Sequence, residues 1–333
     1  MANARRPVQK RIDPATVTAR RAVSGTGRSG RPGGRPARAV VRRATAGDWI
    51  GGARLRTLPL AIAPVALGTA SAFLLSSTGW HWVRALLALA VAVSLQVGVN
   101  YANDYSDGVR GTDRYRVGPS RLTGSGAARP RTVLIVALVF FLLGAIAGAA
   151  LVVLSGYYWL LAVGAICIVA AYLYTGGKRP YGYYGLGELF VFVFFGLVAT
   201  VGTTFTQVGT VNIESWLSGV AAGFLACAVL MVNNLRDLEQ DRVAKKRTLA
   251  VLVGGRAARV LFAIFVVIPF VILAFFVIFY EKAPLVYFAL LPAIPAIIIT
   301  STGKTAPEFI LALKLTTLTA LVFGLGLAAA IAF

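Results

Sequence analysis

Nine long apolar stretches constrain the fold of this chain more than any other feature of its sequence. Each is 16 to 23 residues long and almost free of charge, and 58% of the whole chain is hydrophobic. About 20 apolar residues in an α-helix cross a hydrocarbon layer of roughly 30 Å. The sequence therefore predicts an all-α polytopic membrane protein with nine transmembrane helices, at residues 58–76, 83–103, 132–154, 157–175, 187–206, 216–235, 258–280, 285–300 and 308–330.

The connections between these stretches predict the orientation of the chain. Short loops that are rich in Lys and Arg stay on the cytoplasmic side of a membrane. Basic connections lie at residues 104–131, 176–186, 236–257 and 301–307. The opposite connections hold a single basic residue, Lys282. The amino terminus is therefore predicted to be cytoplasmic, and nine spans place the carboxyl terminus outside.

Residues 1–47 differ from the rest of the chain. They carry twelve Lys and Arg residues, one acid, Asp13, and no apolar periodicity. This composition predicts a disordered basic cytoplasmic tail, followed by a membrane domain at residues 48–333. A polybasic segment beside a membrane span binds anionic lipid more often than nucleic acid, so no nucleic acid is expected as a partner. An organelle transit peptide, which is also rich in Arg, remains an alternative.

Carboxylates and amides cluster at the predicted cytoplasmic ends of the second and sixth stretches. Asn103 and Asp107 are four residues apart, as are Asn233 and Asp237, and Asp237 and Asp241. Residues i and i+4 share one face of a helix, so each motif predicts a stack of oxygen ligands. Each stack also lies at a helix carboxyl end, where the helix dipole favours cations. Hard oxygen ligands that leave positions for phosphate oxygens suit Mg²⁺.

Cationic side chains surround both motifs in the same loops. Carboxylates that hold Mg²⁺, together with Arg and Lys that bind anionic oxygens, predict a diphosphate site. For most of these cations individually, marking the cytoplasmic side is a sufficient explanation. A cation-coupled transporter is the alternative, although transport carboxylates are expected nearer the bilayer midplane. The cations are Arg110, Arg114, Arg116, Arg121, Lys178, Arg179, Arg236, Arg242, Lys245, Lys246 and Arg247.

Taken together, the motif at 103–113 and the motif at 233–241 resemble the UbiA superfamily of intramembrane prenyltransferases. More narrowly, they are similar to its members that prenylate 1,4-dihydroxy-2-naphthoate in menaquinone synthesis. The stretches 56–59, 116–119, 174–182, 187–188 and 246–251 extend the resemblance, which covers about residues 47–333. Lys245 and the tail depart from the family pattern, and neither touches the expected ligand set.

The resemblance implies a nine-helix bundle around a central cavity, with a cytoplasmic cap, in the plasma membrane of a bacterium. It also implies Mg²⁺, as two ions bridged by diphosphate, a polyprenyl diphosphate donor and a bicyclic aromatic acceptor whose carboxylate leaves as carbon dioxide. The site would face the cytoplasm and the bundle would be surrounded by membrane lipid. A different aromatic acceptor, or a quinone-binding protein without catalysis, remains an alternative.

The resemblance also implies roles for individual residues. Asn103, Asp107, Asp237 and Asp241 are expected to hold the metal, and Asp104 is expected beside them as a further catalytic carboxylate. Aromatic rings are expected to face the allylic cation, from Tyr101, Tyr105, Tyr172, Tyr174, Tyr181 and Tyr183. The residues expected to bind substrate are Asn103, Arg110, Lys178, Arg179, Tyr174, Glu188, Asn234, Arg236 and Lys246.

Overall fold

The computed structural model describes residues 43–76, 81–115 and 121–333. Helices make up all the regular structure in this part of the chain, and the all-α prediction is confirmed. The helices are α1 (Ala46–Ala53), α2 (Pro59–Leu75), α3 (Trp82–Arg110), α4 (Pro130–Ser155), α5 (Leu160–Leu173), α6 (Gly187–Val208), α7 (Ile213–Arg236), α8 (Leu238–Val243), α9 (Leu249–Val253), α10 (Gly255–Phe279), α11 (Leu290–Thr302) and α12 (Ala306–Ala332). Short 3₁₀ turns lie at Leu55–Thr57, Thr112–Tyr115 and Tyr181–Tyr183, and a longer one at Ala283–Ala289 leads into α11.

Every predicted apolar stretch contains a helix, but the count of nine spans is not confirmed. Within the described ranges, seven helical segments are long and apolar enough to cross a membrane. They are α3, α4, α6, α7, α10, α12, and α11 together with the 3₁₀ turn that leads into it. An eighth span is a bent pair, α1 with its 3₁₀ turn and then α2, with an angle of 44° between them. The remaining stretch, at residues 157–175, forms only α5, whose 14 residues reach about 21 Å, less than the hydrocarbon thickness.

The bend in the first span has a local cause. Arg54 adopts the left-handed conformation with a φ of 53°, which ends α1. Pro59 then begins α2 as its first residue, where a missing backbone N–H costs nothing. Thr45 caps α1, and the Ala44 N–H donates to the Ala127 carbonyl. Structure therefore begins before residue 48, and the rest of the predicted tail lies outside the described residues.

Helix α7 lies at the centre of the bundle. It packs against α2, α6, α10 and α12, and small residues allow the closest approach. A Cβ added at Gly196 of α6 would lie 2.5 Å from the Cα of Gly223 on α7. Next to this contact α6 takes a π-helical turn at Phe192–Val198, a distortion that often marks functional sites.

The break after α7 corrects one expectation from the sequence. A continuous helix would carry Asn233, Asp237 and Asp241 on one face, but α7 ends at Arg236 and Asp237 is its C-cap. The Asp241 N–H still donates to the Asp237 carbonyl over 2.8 Å. Adjacent side chains cannot face each other on a helix. The break lets the guanidinium of Arg236 and the carboxylate of Asp237 meet.

Candidate functional site

A cavity of about 560 Å³ lies inside the bundle, between α2, α3, α4, α5, α6 and α7. Most of its wall is apolar, and its size suits a small-molecule ligand. Polar side chains gather where the carboxyl ends of α3 and α7 meet, and they are Asn103, Asp107, Arg121, Asn233, Asn234, Arg236, Asp237, Asp241 and Lys246. The structure therefore brings together the two motifs that the sequence holds about 130 residues apart.

Asp107 is the most heavily bonded carboxylate at this end. One oxygen, Oδ2, accepts from Arg121 Nη1 at 2.6 Å. The other, Oδ1, accepts from Lys246 Nζ at 3.0 Å and from the Tyr183 hydroxyl. Asp107 is only 2% exposed, so two cations and a hydroxyl satisfy a charge that would be costly to bury alone.

The pKa values of Arg121 and Tyr183, which bond to Asp107, are shifted by burial and by the nearby carboxylates. Burial would lower the pKa of Arg121, but the carboxylates of Asp107, Asp113 and Asp104 outweigh it and raise that pKa above its ordinary value. Burial, and after it the charge of Asp107, raises the pKa of Tyr183. Arg121 therefore stays charged and Tyr183 stays a hydroxyl donor throughout the physiological pH range.

Asn103 stands one helical turn before Asp107 on the same face of α3. Its Oδ1 accepts from the Thr175 hydroxyl at 2.6 Å, and its backbone carbonyl accepts from Arg121 Nη1 at 3.1 Å. The four-residue spacing thus does place both side chains on the cavity wall.

Asp104 does not line the cavity. Its carboxylate accepts the backbone N–H of Leu122 at 2.9 Å and that of Thr123 at 2.8 Å. The side chain is 2% exposed and points to the loop that follows the second span. Asp104 differs by about 100° around the helix from Asn103, which explains why it meets a different neighbour.

The second motif is organised around an ion pair. Arg236 binds Asp237 through two hydrogen bonds, from Nε to Oδ1 at 2.8 Å and from Nη2 to Oδ2 at 2.6 Å. Asp241 is buried, and its carbonyl accepts the backbone N–H of Lys246 at 2.8 Å. Asn234 donates through Nδ2 to Glu188 Oε1 at 2.9 Å.

Four residues expected to bind substrate lie away from the cavity wall. Lys178 and Arg179 are exposed in the loop after α5. Arg110 donates to the carbonyls of Thr175 and Gly177 and so fixes that loop to the end of α3. Glu188 is buried behind Asn234, and its Oε2 has no hydrogen-bond partner among the described residues.

The sequence placed Arg121 among the cations of the site and Tyr183 among its aromatic rings, but no local spacing predicted that both contact Asp107. Sequence reasoning missed Gln96 and Asn100, which line the cavity. They precede Asn103 by seven and three residues, so the helical repeat that linked Asn103 to Asp107 could have found them.

The residue types at this end fit Mg²⁺ with a phosphate ligand. In the described ranges, no group of three or more His, Cys, Asp or Glu side chains is close enough to hold an ion alone. Asn103, Asp107, Asp237 and Asp241 all offer hard oxygens to one end of the cavity. Mg²⁺ is commonly held by one or two carboxylates, while substrate phosphates and water complete its octahedron.

Comparison with known proteins agrees with this geometry. A model of the UbiA prenyltransferase family matches residues 61–308. The chain is 51% identical over 293 residues to the 1,4-dihydroxy-2-naphthoate octaprenyltransferase of Mycobacterium tuberculosis (strain ATCC 25618 / H37Rv), covering 86% of this chain and 97% of that protein.

Two solved structures share the fold. The apo structure of a UbiA homologue from Aeropyrum pernix K1 superposes with a TM-score of 0.62 at 17% identity, covering 83% of this chain and 98% of that one. A UbiA homologue from Archaeoglobus fulgidus bound to GPP and Mg²⁺ gives a TM-score of 0.58 at 18% identity, covering 86% of this chain and all (100%) of that one.

Proposed function

Because this chain belongs to the UbiA prenyltransferase family, we propose that it transfers a polyprenyl group from polyprenyl diphosphate to 1,4-dihydroxy-2-naphthoate, giving a demethylmenaquinol. The observation that carries the proposal is the two-part cavity. One end holds carboxylates and cations suited to a metal diphosphate, and it opens directly into an apolar chamber suited to an isoprenoid and an aromatic ring. A relative that covers most of both chains carries the name of this activity.

The metal would be Mg²⁺, held by Asn103 and Asp107 from α3 and by Asp237 and Asp241 from the second motif. We place one ion at each motif, bridged by the diphosphate. When bound, the ions would neutralise diphosphate oxygens and so stabilise the leaving group. The proposal that Mg²⁺ and a prenyl diphosphate bind together is supported by the UbiA homologue that was solved with GPP and Mg²⁺.

The charges of the cavity favour binding of metal and diphosphate together. Four cationic side chains, from Arg54, Arg121, Arg236 and Lys246, and three carboxylates line it. Their charges nearly cancel, so binding a bare anion or a bare metal ion would leave a net charge beside the buried side chains of Asp107, Arg236 and Asp241. Arg121, Arg236 and Lys246 each have further N–H groups to offer the diphosphate oxygens.

The transfer balances with the two substrates alone. The bond between the donor's first carbon and its oxygen breaks, and its electron pair leaves with the diphosphate. An electron-rich ring carbon of the acceptor forms the new bond to the prenyl carbon. The bond between the ring and the carboxylate carbon breaks, its electron pair returns to the ring and restores aromaticity, and the carboxylate leaves as carbon dioxide. One donor and one acceptor give one prenylated hydroquinone, one diphosphate and one carbon dioxide.

Aromatic residues stand beside the place where positive charge would develop. Tyr174, Tyr181 and Phe190 line the cavity next to the polar end. The rings of Tyr181 and Phe190 stack with centroids 4.1 Å apart, and Tyr174 meets Tyr181 edge-on at 5.5 Å. Aromatic faces attract a cation, and the apolar chamber beyond them keeps water from the reactive carbon.

The membrane setting follows from the same features. The apolar spans make this a membrane protein. We propose that it lies in the plasma membrane of a bacterium, in contact with lipid. The polar end of the cavity then faces the cytoplasm, where water-soluble acceptors and Mg²⁺ are available.

Purified protein in detergent tests the proposal. A panel of aromatic acceptors is tested with polyprenyl diphosphates as donors and with Mg²⁺ present. We expect the protein to transfer prenyl groups to 1,4-dihydroxy-2-naphthoate. Asp107→Ala and Asp237→Ala should each lower turnover by at least about a hundred-fold, because each removes a carboxylate from the metal site. Glu239→Ala is the matched control, since Glu239 is an exposed carboxylate outside the cavity wall that pairs with the exposed Arg242.

Three results would contradict the proposal. Full activity of either aspartate variant at saturating Mg²⁺ would exclude the two-motif site. Transfer to another aromatic ring alone would assign a different acceptor. Metal-driven ion flux without prenyl transfer would favour a transporter.

A further inference from the structure

Four polar residues of α3 line the cavity along one helix face. Asn103 and Asp107 belong to the metal site, and Gln96 and Asn100 lie two turns and one turn deeper in the apolar chamber. Gln96 is about 10 Å from Asn103 along the helix axis, since each residue advances a helix by about 1.5 Å. Gln96 and Asn100 are 6% and 5% exposed. Buried amides in an apolar chamber need a reason, because each unpaired oxygen costs free energy.

The orientation of the Asn100 amide is fixed by a carbonyl. Its Nδ2 donates to the Ala53 carbonyl at 2.9 Å. A carbonyl oxygen can only accept, so the nitrogen of Asn100 must face it. The Ala53 carbonyl is available because α1 ends there at the bend of the first span.

The orientation of the Gln96 amide is fixed by a chain of donors. Thr57 donates its only hydroxyl hydrogen to the Arg54 carbonyl at 2.9 Å. The Thr57 oxygen must therefore accept from Gln96 Nε2, which lies 2.9 Å away. Both amides thus turn their nitrogens to the first span.

This arrangement leaves two amide oxygens, Gln96 Oε1 and Asn100 Oδ1, for a ligand. Within the described residues neither oxygen accepts a hydrogen bond. Side chains at i and i+4 have Cβ atoms about 5–6 Å apart. That distance is comparable to the separation of two hydroxyl groups at opposite positions of one aromatic ring.

We propose that Gln96 and Asn100 form the subsite that binds the two hydroxyl groups of a 1,4-dihydroxy aromatic acceptor. The inference rests on the proposed function and deepens it. Each hydroxyl donates to one amide oxygen, which holds the ring one to two turns below the metal site. Hydroxyls that donate to an acceptor also push electron density into the ring, which favours attack on an allylic cation. A quinone, which has no hydroxyl hydrogen, would leave both oxygens unpaired.

Gln96→Met and Asn100→Leu test the subsite, because each keeps the bulk of the side chain and removes the amide. Loss of one buried hydrogen bond should raise the KM for 1,4-dihydroxy-2-naphthoate by about ten-fold in either variant. The KM for the donor and the half-saturating Mg²⁺ concentration should stay within about two-fold of wild type. The competing probe 1-hydroxy-2-naphthoate has one hydroxyl of the pair, so its inhibition constant should change in only one variant.

Gln207→Met is the matched control. Gln207 is equally buried and donates through Nε2 to the Thr69 hydroxyl at 3.0 Å, but it does not line the cavity. It should leave the KM for the acceptor unchanged. If Gln96→Met does not fold, Gln96→Asn withdraws the oxygen by one methylene and should give the same rise.

The outcomes separate the two proposals. A wild-type protein that does not prenylate the naphthoate refutes the proposed function. Wild-type turnover with an unchanged acceptor KM in both Gln96→Met and Asn100→Leu refutes the hydroxyl subsite alone. An equal rise in Gln207→Met would show that loss of a buried amide acts through the fold, and would also refute it.

Discussion

A substitution of Asp104 tests whether this carboxylate positions a neighbouring loop or binds the metal. We call residues 121–126 the clasp segment. Both Asp104 oxygens accept backbone N–H groups from it, at Leu122 and Thr123. The segment lies directly on α3, because a Cβ added at Gly108 would fall 2.4 Å from Thr123 Cγ2. These two hydrogen bonds hold the clasp segment in the position from which Arg121 contacts Asp107.

The substitution Asp104→Asn keeps the shape but changes the bonding. One amide oxygen can still accept an N–H, whereas the amide nitrogen turns a donor toward the other. A hydrogen bond to a charged group contributes roughly 1.5–3 kcal/mol, so its loss corresponds to about a 10- to 150-fold change in a local opening equilibrium. The amides of Leu122 and Thr123 should exchange hydrogen faster by about that factor.

Hydrogen exchange followed by mass spectrometry, on protein in detergent, measures this in peptides that cover the clasp segment. The half-saturating Mg²⁺ concentration should stay within about two-fold of wild type, while kcat/KM for the donor falls because Arg121 is no longer held. Asp107→Asn is the contrasting variant. It should weaken Mg²⁺ binding, while the amides of Leu122 and Thr123 keep their protection from hydrogen exchange. Unchanged exchange in Asp104→Asn, with a Mg²⁺ requirement raised ten-fold or more, would show that Asp104 is a metal ligand and refute the reasoning.

Two further predictions concern orientation and the amino-terminal tail. A membrane-impermeant thiol reagent added outside should label Lys282→Cys and not Val243→Cys, both at exposed positions; labelling of the second alone would invert the orientation. Deletion of residues 2–42, which keeps Ala44 and the Thr45 cap of α1, should leave specific activity within about two-fold, because the spans already hold the protein in the bilayer. A ten-fold loss in a normally inserted truncation would show that the tail reaches the site.

Much of the fold follows from the lengths of the apolar stretches, and the exceptions have local causes. Seven spans lie near the predicted positions, six as one helix each and one as the 3₁₀ turn Ala283–Ala289 that continues into α11. The bend before α2 depends on the left-handed conformation of Arg54. This conformation is uncommon for a residue other than glycine, so the sequence does not predict it. The shortness of α5 was hidden because its flanking residues, Tyr157 to Trp159, are themselves apolar or aromatic.

The site was predictable where it depends on one helix and unpredictable where it depends on contacts between distant segments. The spacing of Asn103 and Asp107 placed both on the cavity wall. The same periodicity turns Asp104 about 100° away from Asn103, to the side of the helix that meets Leu122 and Thr123. The contact of Arg121 with Asp107, however, exists only because the clasp segment folds back onto α3. No local pattern encodes a partner chosen by tertiary packing.

One face of α3 therefore joins the two halves of the proposed reaction. Asp107 and Asn103 stand at the diphosphate end, and Asn100 and Gln96 continue the same face into the apolar chamber. Backbone hydrogen bonds of a continuous helix fix these spacings, so the distance from metal site to acceptor does not depend on any loop. Among the described residues, the hydrogen bonds that the clasp segment and the loop carrying Tyr183 make to this face end at Asp107 and Asn103. Movement of those loops during donor entry would leave the position of the acceptor ring unchanged, which suits a reaction that needs two substrates aligned before a short-lived cation forms.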